Sequence, residues 1–190
     1  MSDETMNVDD AGRTEIFYAC SASDVKRLLA AGNDVNARDK FDQTPLMFRV
    51  YDCPVEVTKE MLAAGADVNA QDDEGRTALM YAQAEQAKLL IAAGADVNIE
   101  NNYGQTALMY ASGGNENFRE TIAETVKVLL AAGAEVNARD SNGQTALMYA
   151  RECDDDDSQK VIELLLAAGA DDDDDSGFYD EDSGFDEDEN

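Results

Sequence analysis

The chain has 190 residues, about 1.3 times a typical domain of about 150, so one core-bearing domain with an appendage is expected. It carries 42 acidic residues against 14 basic ones and no histidine, a formal charge of −28. This balance argues against direct nucleic-acid binding, which needs Lys and Arg gathered on one face. The lack of histidine removes imidazole acid–base chemistry, His triads and His-ligated metals.

Cys20, Cys53 and Cys153 are odd in number and widely spaced with no CxxC, which reads as free thiols in a reducing compartment. The N-terminus is acidic where a signal peptide needs a basic segment, and no apolar run nears the roughly 18 to 20 residues of a membrane span. A cytoplasmic protein with no membrane contact is expected, with delivery by a route lacking a cleaved signal left open.

In chain order, residues 1–11 are polar and acid-rich and are expected to be a disordered lead-in. The tetrapeptide T-[AP]-L-M then recurs at Thr44, Thr77, Thr106 and Thr145, with a degenerate TEIF at Thr14. Each is followed by a Leu- or Met-bearing segment that closes in A-A-G, at Gly32, Gly65, Gly94, Gly133 and Gly169. Val-Asn follows four of these glycines, as Val35-Asn36, Val68-Asn69, Val97-Asn98 and Val136-Asn137. The glycine intervals of 33, 29, 39 and 36 residues mark a repeat architecture. Five copies, roughly 12–40, 41–73, 74–102, 103–141 and 142–170, make one repeat domain over residues 12–170.

Each unit has a readable physics. Thr opens a short first helix as its N-cap, the hydroxyl satisfying an orphan backbone N–H. In the fourth unit Phe118, Ile122, Val126, Leu129 and Leu130 fall on one helical stripe and predict the second helix. Gly133 then stands where a left-handed C-cap is needed, and Val-Asn begins an extended turn. No unit covers its own stripe, so copies must stack into a solenoid.

These motifs resemble the ankyrin-repeat family, whose pattern reads G-x-T-P-L-H-x-A-A followed by a helix ending L-L-x-x-G-A-D-V-N-A. Here GRTALMYA and AKLLIAAGADVNI carry the likeness, which covers about four fifths of the chain. Met47, Met80, Met109 and Met148 stand where the family has His, and Pro survives only at Pro45, so apolar packing should replace the polar network that His makes. The resemblance implies an all-α solenoid of helix-turn-helix units with short extended turns between repeats. It also implies a non-enzymatic protein-binding role with no cofactor.

The family's usual Thr-to-Gly spacing of 21 is matched by the second unit, while the first and third have 18 and 17 and the fourth and fifth 27 and 24. Short units must lose loop or about one helical turn. The insertions, near Gly113-Gly114-Asn115 and Asp154 to Asp157, fall between helices and should widen the stack toward its C-terminus.

Two surfaces are candidates for a partner. Four residues after each Thr comes an aromatic: Tyr18, Phe48, Tyr81, Tyr110 and Tyr149. By family register these face the concave groove, where they either contact a partner or pack between successive first helices. The second surface is the row of loop tips: Arg38, Lys40 and Phe41; Gln71, Asp73 and Glu74; Glu100, Asn102 and Tyr103; Arg139, Ser141 and Asn142. Phe41 and Tyr103 are aromatics where solvation favours polar residues, which fits an interface or ordinary surface aromatics.

Residues 171–190 hold 12 acidic and no basic residues and are expected to be a disordered, low-complexity tail. It contains SGF twice, with Phe178, Tyr179 and Phe185, and reads either as an interaction arm or as a solubilising cap on the last repeat. Asp154 to Asp157 lack EF-hand spacing, and no phosphate loop, GxSxG or HExxH occurs. The expected function is capture of a basic protein by a monomeric module, with an inhibitor or immunity role as one subclass. The alternative is an acidic mimic that occupies the nucleic-acid site of a DNA- or RNA-binding protein.

Overall fold

The computed structural model describes residues 8–113, 122–153 and 156–172. The described helices fall into five pairs. A 3₁₀ helix over Glu15–Tyr18 precedes α1 (Ala22–Ala30), and α2 (Pro45–Arg49) precedes α3 (Val55–Ala63). A second 3₁₀ helix, Ala78–Tyr81, precedes α4 (Ala84–Ala92), α5 (Ala107–Ser112) precedes α6 (Ile122–Ala131), and α7 (Ala146–Arg151) precedes α8 (Asp156–Ala167). First helices pack on first helices and second on second (α5 on α7, α1 on α3, α4 on α6, α6 on α8), giving two stacked layers. No strand occurs among the described residues.

One apolar seam runs the length of the stack. Each T-[AP]-L-M motif contributes a buried leucine, Leu46, Leu79, Leu108 and Leu147, and second helices add Val25, Val57, Leu90, Val126, Leu129 and Leu165. Met47, Met80 and Met109 are buried with them, so thioethers fill the space that a polar side chain would have to satisfy with hydrogen bonds. Met148, in the last repeat, is half-buried.

The expected threonine caps form at three of five sites. Oγ1 of Thr44, Thr106 and Thr145 accepts the N–H of Met47, Met109 and Met148 at 3.3, 3.5 and 3.4 Å. Thr14 and Thr77 make no such bond. These open the two short units, whose first helix has become a four-residue 3₁₀ helix. Of the three and four residues missing relative to the second unit, one comes from the first helix, four residues long against five in α2. The rest come from the connector, which falls from five residues (50–54) to three (19–21) and two (82–83). Of the expected insertions, Gly114, Asn115, Asp154 and Asp155 lie outside the described residues, whereas Asp156 and Asp157 belong to α8, a 12-residue helix, and not to the connector before it. Phe118 and residues 173–190 lie outside the described residues.

Two periodic polar devices hold repeat to repeat. Nδ2 of Asn36, Asn69, Asn98 and Asn137 donates to the carbonyl of the next repeat's glycine: Gly65, Gly94, Gly133 and Gly169. Their Oδ1 accepts the N–H of Asp67, Asp96, Glu135 and Asp171. In the hairpins, one backbone bond joins each hairpin to the next. Lys40 N–H donates to Ala11 O, Asp73 to Phe41, Asn102 to Glu74 and Ser141 to Tyr103, at 2.9 to 3.0 Å.

The stack ends on α8, where Leu165 is buried, Ile162 and Leu164 are half-buried and Leu166 is 39% exposed. Three consecutive leucines cannot share one helix face, and among the described residues part of that apolar surface, at Leu166, stays exposed.

Candidate functional site

The hairpins are built on a residue five before each Thr. Oδ1 of Asp39 accepts the N–H groups of Phe41 and Gln43, and Asp72 does the same for Glu74 and Arg76. Asn101 pins Tyr103 and Gln105, and Asp140 pins Asn142 and Gln144. Asp9 pins Ala11 and Arg13 in the same way but is exposed, whereas the other four pins are buried, each 6% exposed. Two of the three buried carboxylates have a guanidinium partner: Arg13 Nε lies 2.8 Å from Asp39 Oδ2, and Arg76 Nε 2.9 Å from Asp72 Oδ2. Each arginine also lies over an aromatic face, Arg13 4.2 Å from the centre of Phe48 and Arg76 5.6 Å from that of Tyr81. The five-residue Asp/Asn-to-Thr spacing is legible in the sequence, though weaker than the T-[AP]-L-M signal.

The groove aromatics lie side by side. Tyr18 meets Phe48 edge-on at 5.8 Å and Tyr81 meets Tyr110 at 6.4 Å. Tyr18 is 47% exposed and the other four are half-buried. Several hydroxyls are engaged internally: Tyr18 donates to Asp9, Tyr149 to Asp140 Oδ2 at 2.7 Å, and Tyr110 accepts Asn101 Nδ2 at 3.2 Å. The row therefore braces the first helices while keeping part of each ring open. Burial raises the phenols of Tyr81, Tyr110 and Tyr149 above their ordinary value, and for Tyr149 the bond to Asp140 adds to it. Between the fourth and fifth repeats the row opens into a cleft of about 360 Å³ lined by Gln105, Met109, Tyr110, Gly113 and Tyr149.

At the tips Phe41 is 49% and Tyr103 55% exposed. Arg38, Lys40, Gln71, Asp73, Glu100, Asn102, Arg139, Ser141 and Asn142 are exposed and Glu74 half-buried. Several have structural work. Arg38 donates to the carbonyls of Asp42 and Gln71, Lys40 to Asp10, Asn102 Nδ2 to Asp73, and Arg139 to Gly143. Glu74 pairs with Arg76 at 2.6 Å. Tyr51, 45% exposed between α2 and α3, is an open aromatic with no periodic counterpart and was not singled out by sequence reasoning.

Among the described residues no cluster of acidic or cysteine side chains has the grouping of a metal site, and no helix is long and apolar enough to cross a membrane.

A stack of helix pairs joined repeat to repeat by hairpins, with half-open aromatics along its first helices, is the architecture of a repeat scaffold. A family model described as ankyrin repeats (3 copies) matches residues 16–101, 48–123 and 83–175. The chain belongs to the ankyrin-repeat family. It is similar to the crystal structure of an ankyrin repeat domain from Acinetobacter baumannii AYE, with 32% identity over 90% of this chain and 89% of that one and a TM-score of 0.72. No curated protein sequence matches it. Ankyrin repeats generally mediate protein–protein interaction and are typically non-enzymatic.

Proposed function

We propose that the chain is a monomeric, cytoplasmic, non-enzymatic module that captures a basic protein, as an inhibitor or immunity-type protein. Its repeat domain spans residues 12–170 between acidic flanks. The contact residues in this reading are Tyr18, Phe48, Tyr81, Tyr110 and Tyr149 in the groove. At the tips they are Arg38, Lys40, Phe41, Asp73, Glu74, Asn102, Tyr103, Arg139 and Asn142. The observation that carries it is the pairing of half-open aromatic rings along one edge with a formal charge of −28. Rings supply desolvated anchor area, and the field of the acidic residues steers a cationic surface toward them.

The test is capture from extracts of the native organism at low and high salt, on the full chain and on the chain with both Tyr81→Ala and Tyr110→Ala. A basic protein retained by the full chain and lost from the doublet supports the reading. Retention of only neutral or acidic proteins, or equal retention by both chains, sinks it.

A further inference from the structure

Arg13, Asp39 and Phe48 form one guanidinium site at the junction of the first and second repeats: an arginine just before Thr14, the buried hairpin carboxylate five before Thr44 and the aromatic four after Thr44. Gln105, Asp140 and Tyr149 occupy the same three register positions at the junction of the fourth and fifth repeats. There the arginine is absent. Gln105 Nε2 reaches Tyr149 Oη at 2.7 Å, and that hydroxyl in turn donates to Asp140 Oδ2. Among the described residues Asp140 has no ion pair, although it is as buried as Asp39 and Asp72, which both have one. Gln105 and Tyr149 also wall, with Tyr110, the open cleft of about 360 Å³, so Asp140 stands one hydrogen bond behind it through the Tyr149 hydroxyl.

We infer that this cleft is a receptacle for an arginine side chain of the protein partner, which takes the place that Arg13 fills internally at the first junction. The chemistry is that of the internal site. A planar cation lies on a tyrosine face, and Asp140 behind it supplies the negative charge. Its N–H groups reach the second lone pairs of the Gln105 carbonyl, which already accepts Asn101 Nδ2, and of the Tyr149 oxygen, which already accepts Gln105 Nε2. Lysine fits less well, because an ammonium cannot stack flat on the ring while forking to two acceptors. The inference rests on the groove being the partner-binding face.

The experiment is an amide-resolved NMR titration of the full chain with N-acetyl-arginine N-methylamide, and with the lysine counterpart as control. Shifts at Gln105, Tyr110 and Tyr149 that are at least about threefold more sensitive to the arginine probe are expected. Gln105→Arg should remove those shifts and raise the unfolding midpoint, because the internal arginine then fills the cleft. Asp140→Asn, for which Asn101 is a folded precedent in the same position, should weaken the probe about tenfold. Equal response to both probes, shifts confined to residues outside the cleft, or undiminished binding by both variants overturns the inference. If the probe fails in the cleft but the Tyr81/Tyr110 doublet still loses the partner, the arginine receptacle is wrong and the groove reading stands. If the probe binds and the doublet keeps its partner, the groove reading is the one that fails.

Discussion

Asp42 occupies the hairpin position that Gly75 fills one repeat later, and both are left-handed, with φ of 54° and 77°. Gly75 has a reason to be glycine: a Cβ there would sit 2.7 Å from Asn102 Oδ1 and 2.8 Å from its backbone N. Gly12, Gly104 and Gly143 hold the same conformation in the other hairpins, so Asp42 is the one side chain in this column forced into it. Asp42→Gly should therefore stabilise the protein by about 0.5 to 1 kcal/mol, the strain outweighing glycine's extra chain entropy. Urea unfolding measures this; a lower midpoint would mean that the Asp42 side chain contributes more than its backbone costs.

A second prediction concerns the asparagine of the Val-Asn pair. Asn69 bonds Gly94 O at 3.1 Å and the Asp96 N–H at 2.9 Å. Removing both bonds by Asn69→Ala should cost about 1 to 2 kcal/mol, held down because water reaches this edge. As the bonds cross a repeat boundary, the loss should appear as weaker coupling between the second and third units, read by hydrogen exchange on both sides of it. Exchange that speeds up only within residues 66–72 would show the bond to be local.

How far the sequence disclosed this depended on how often a feature repeats. Thr, Leu-Met, A-A-G and Val-Asn recur in strict register, and each marks a helix start, a core side chain, a helix end or an inter-repeat clamp. The 3₁₀ conversion of the first helix was half legible. Spacings of 18 and 17 demand a loss, but nothing in the sequence divides it between the first helix, which tightens by one residue to Glu15–Tyr18 and Ala78–Tyr81, and the connector, which gives up two and three. Arg13 with Asp39 was not legible, because partners 26 residues apart meet only once the stack exists. Tyr51 was missed for the opposite reason: it belongs to one repeat and has no echo to draw attention.

Packing between second helices gives a third prediction. Leu129 and Leu165 are fully buried, so Leu129→Ala or Leu165→Ala should destabilise by roughly 2 to 5 kcal/mol through lost transfer energy and the cavity left behind. Leu165 lies in the terminal repeat and should fall at the lower end, since α8 is packed by α6 and α7 with no described helix beyond it. Unchanged denaturant unfolding in either variant would contradict the seam described above.

Alkaline pH provides a fourth. The phenols of Tyr81, Tyr110 and Tyr149 are raised in the folded chain chiefly by burial, while in the unfolded chain they titrate near about 10. The neutral form is thus favoured by folding. Its contribution is complete below about pH 10 and declines as the pH climbs from there through the raised folded values, because the unfolded state loses its protons first. Phenolate absorbance from Tyr81, Tyr110 and Tyr149 should appear at higher pH in the folded chain than in the urea-unfolded chain, and urea midpoints should fall over that interval. Replacing the three by Phe without changing the folded chain's alkaline titration would refute it.

The last prediction separates rings from charge in partner capture. Phe41 and Tyr103 are about half exposed at the tips, so Phe41→Ala with Tyr103→Ala should leave the fold intact. Tyr81→Ala with Tyr110→Ala also removes a ring–ring contact and the Asn101 bond, and its binding loss must be read against its measured stability. For either doublet a central anchor costs about 2 kcal/mol or more, roughly thirtyfold in affinity, expressed in dissociation. Deleting residues 173–190 should act on association instead, slowing it at low salt and flattening its salt dependence, since exposed charges are screened beyond about 8 Å at physiological ionic strength. Surface-binding kinetics against the captured partner distinguish the two. If the deletion abolishes binding at every salt while both doublets are silent, the acidic arm is the ligand and the solenoid only carries it.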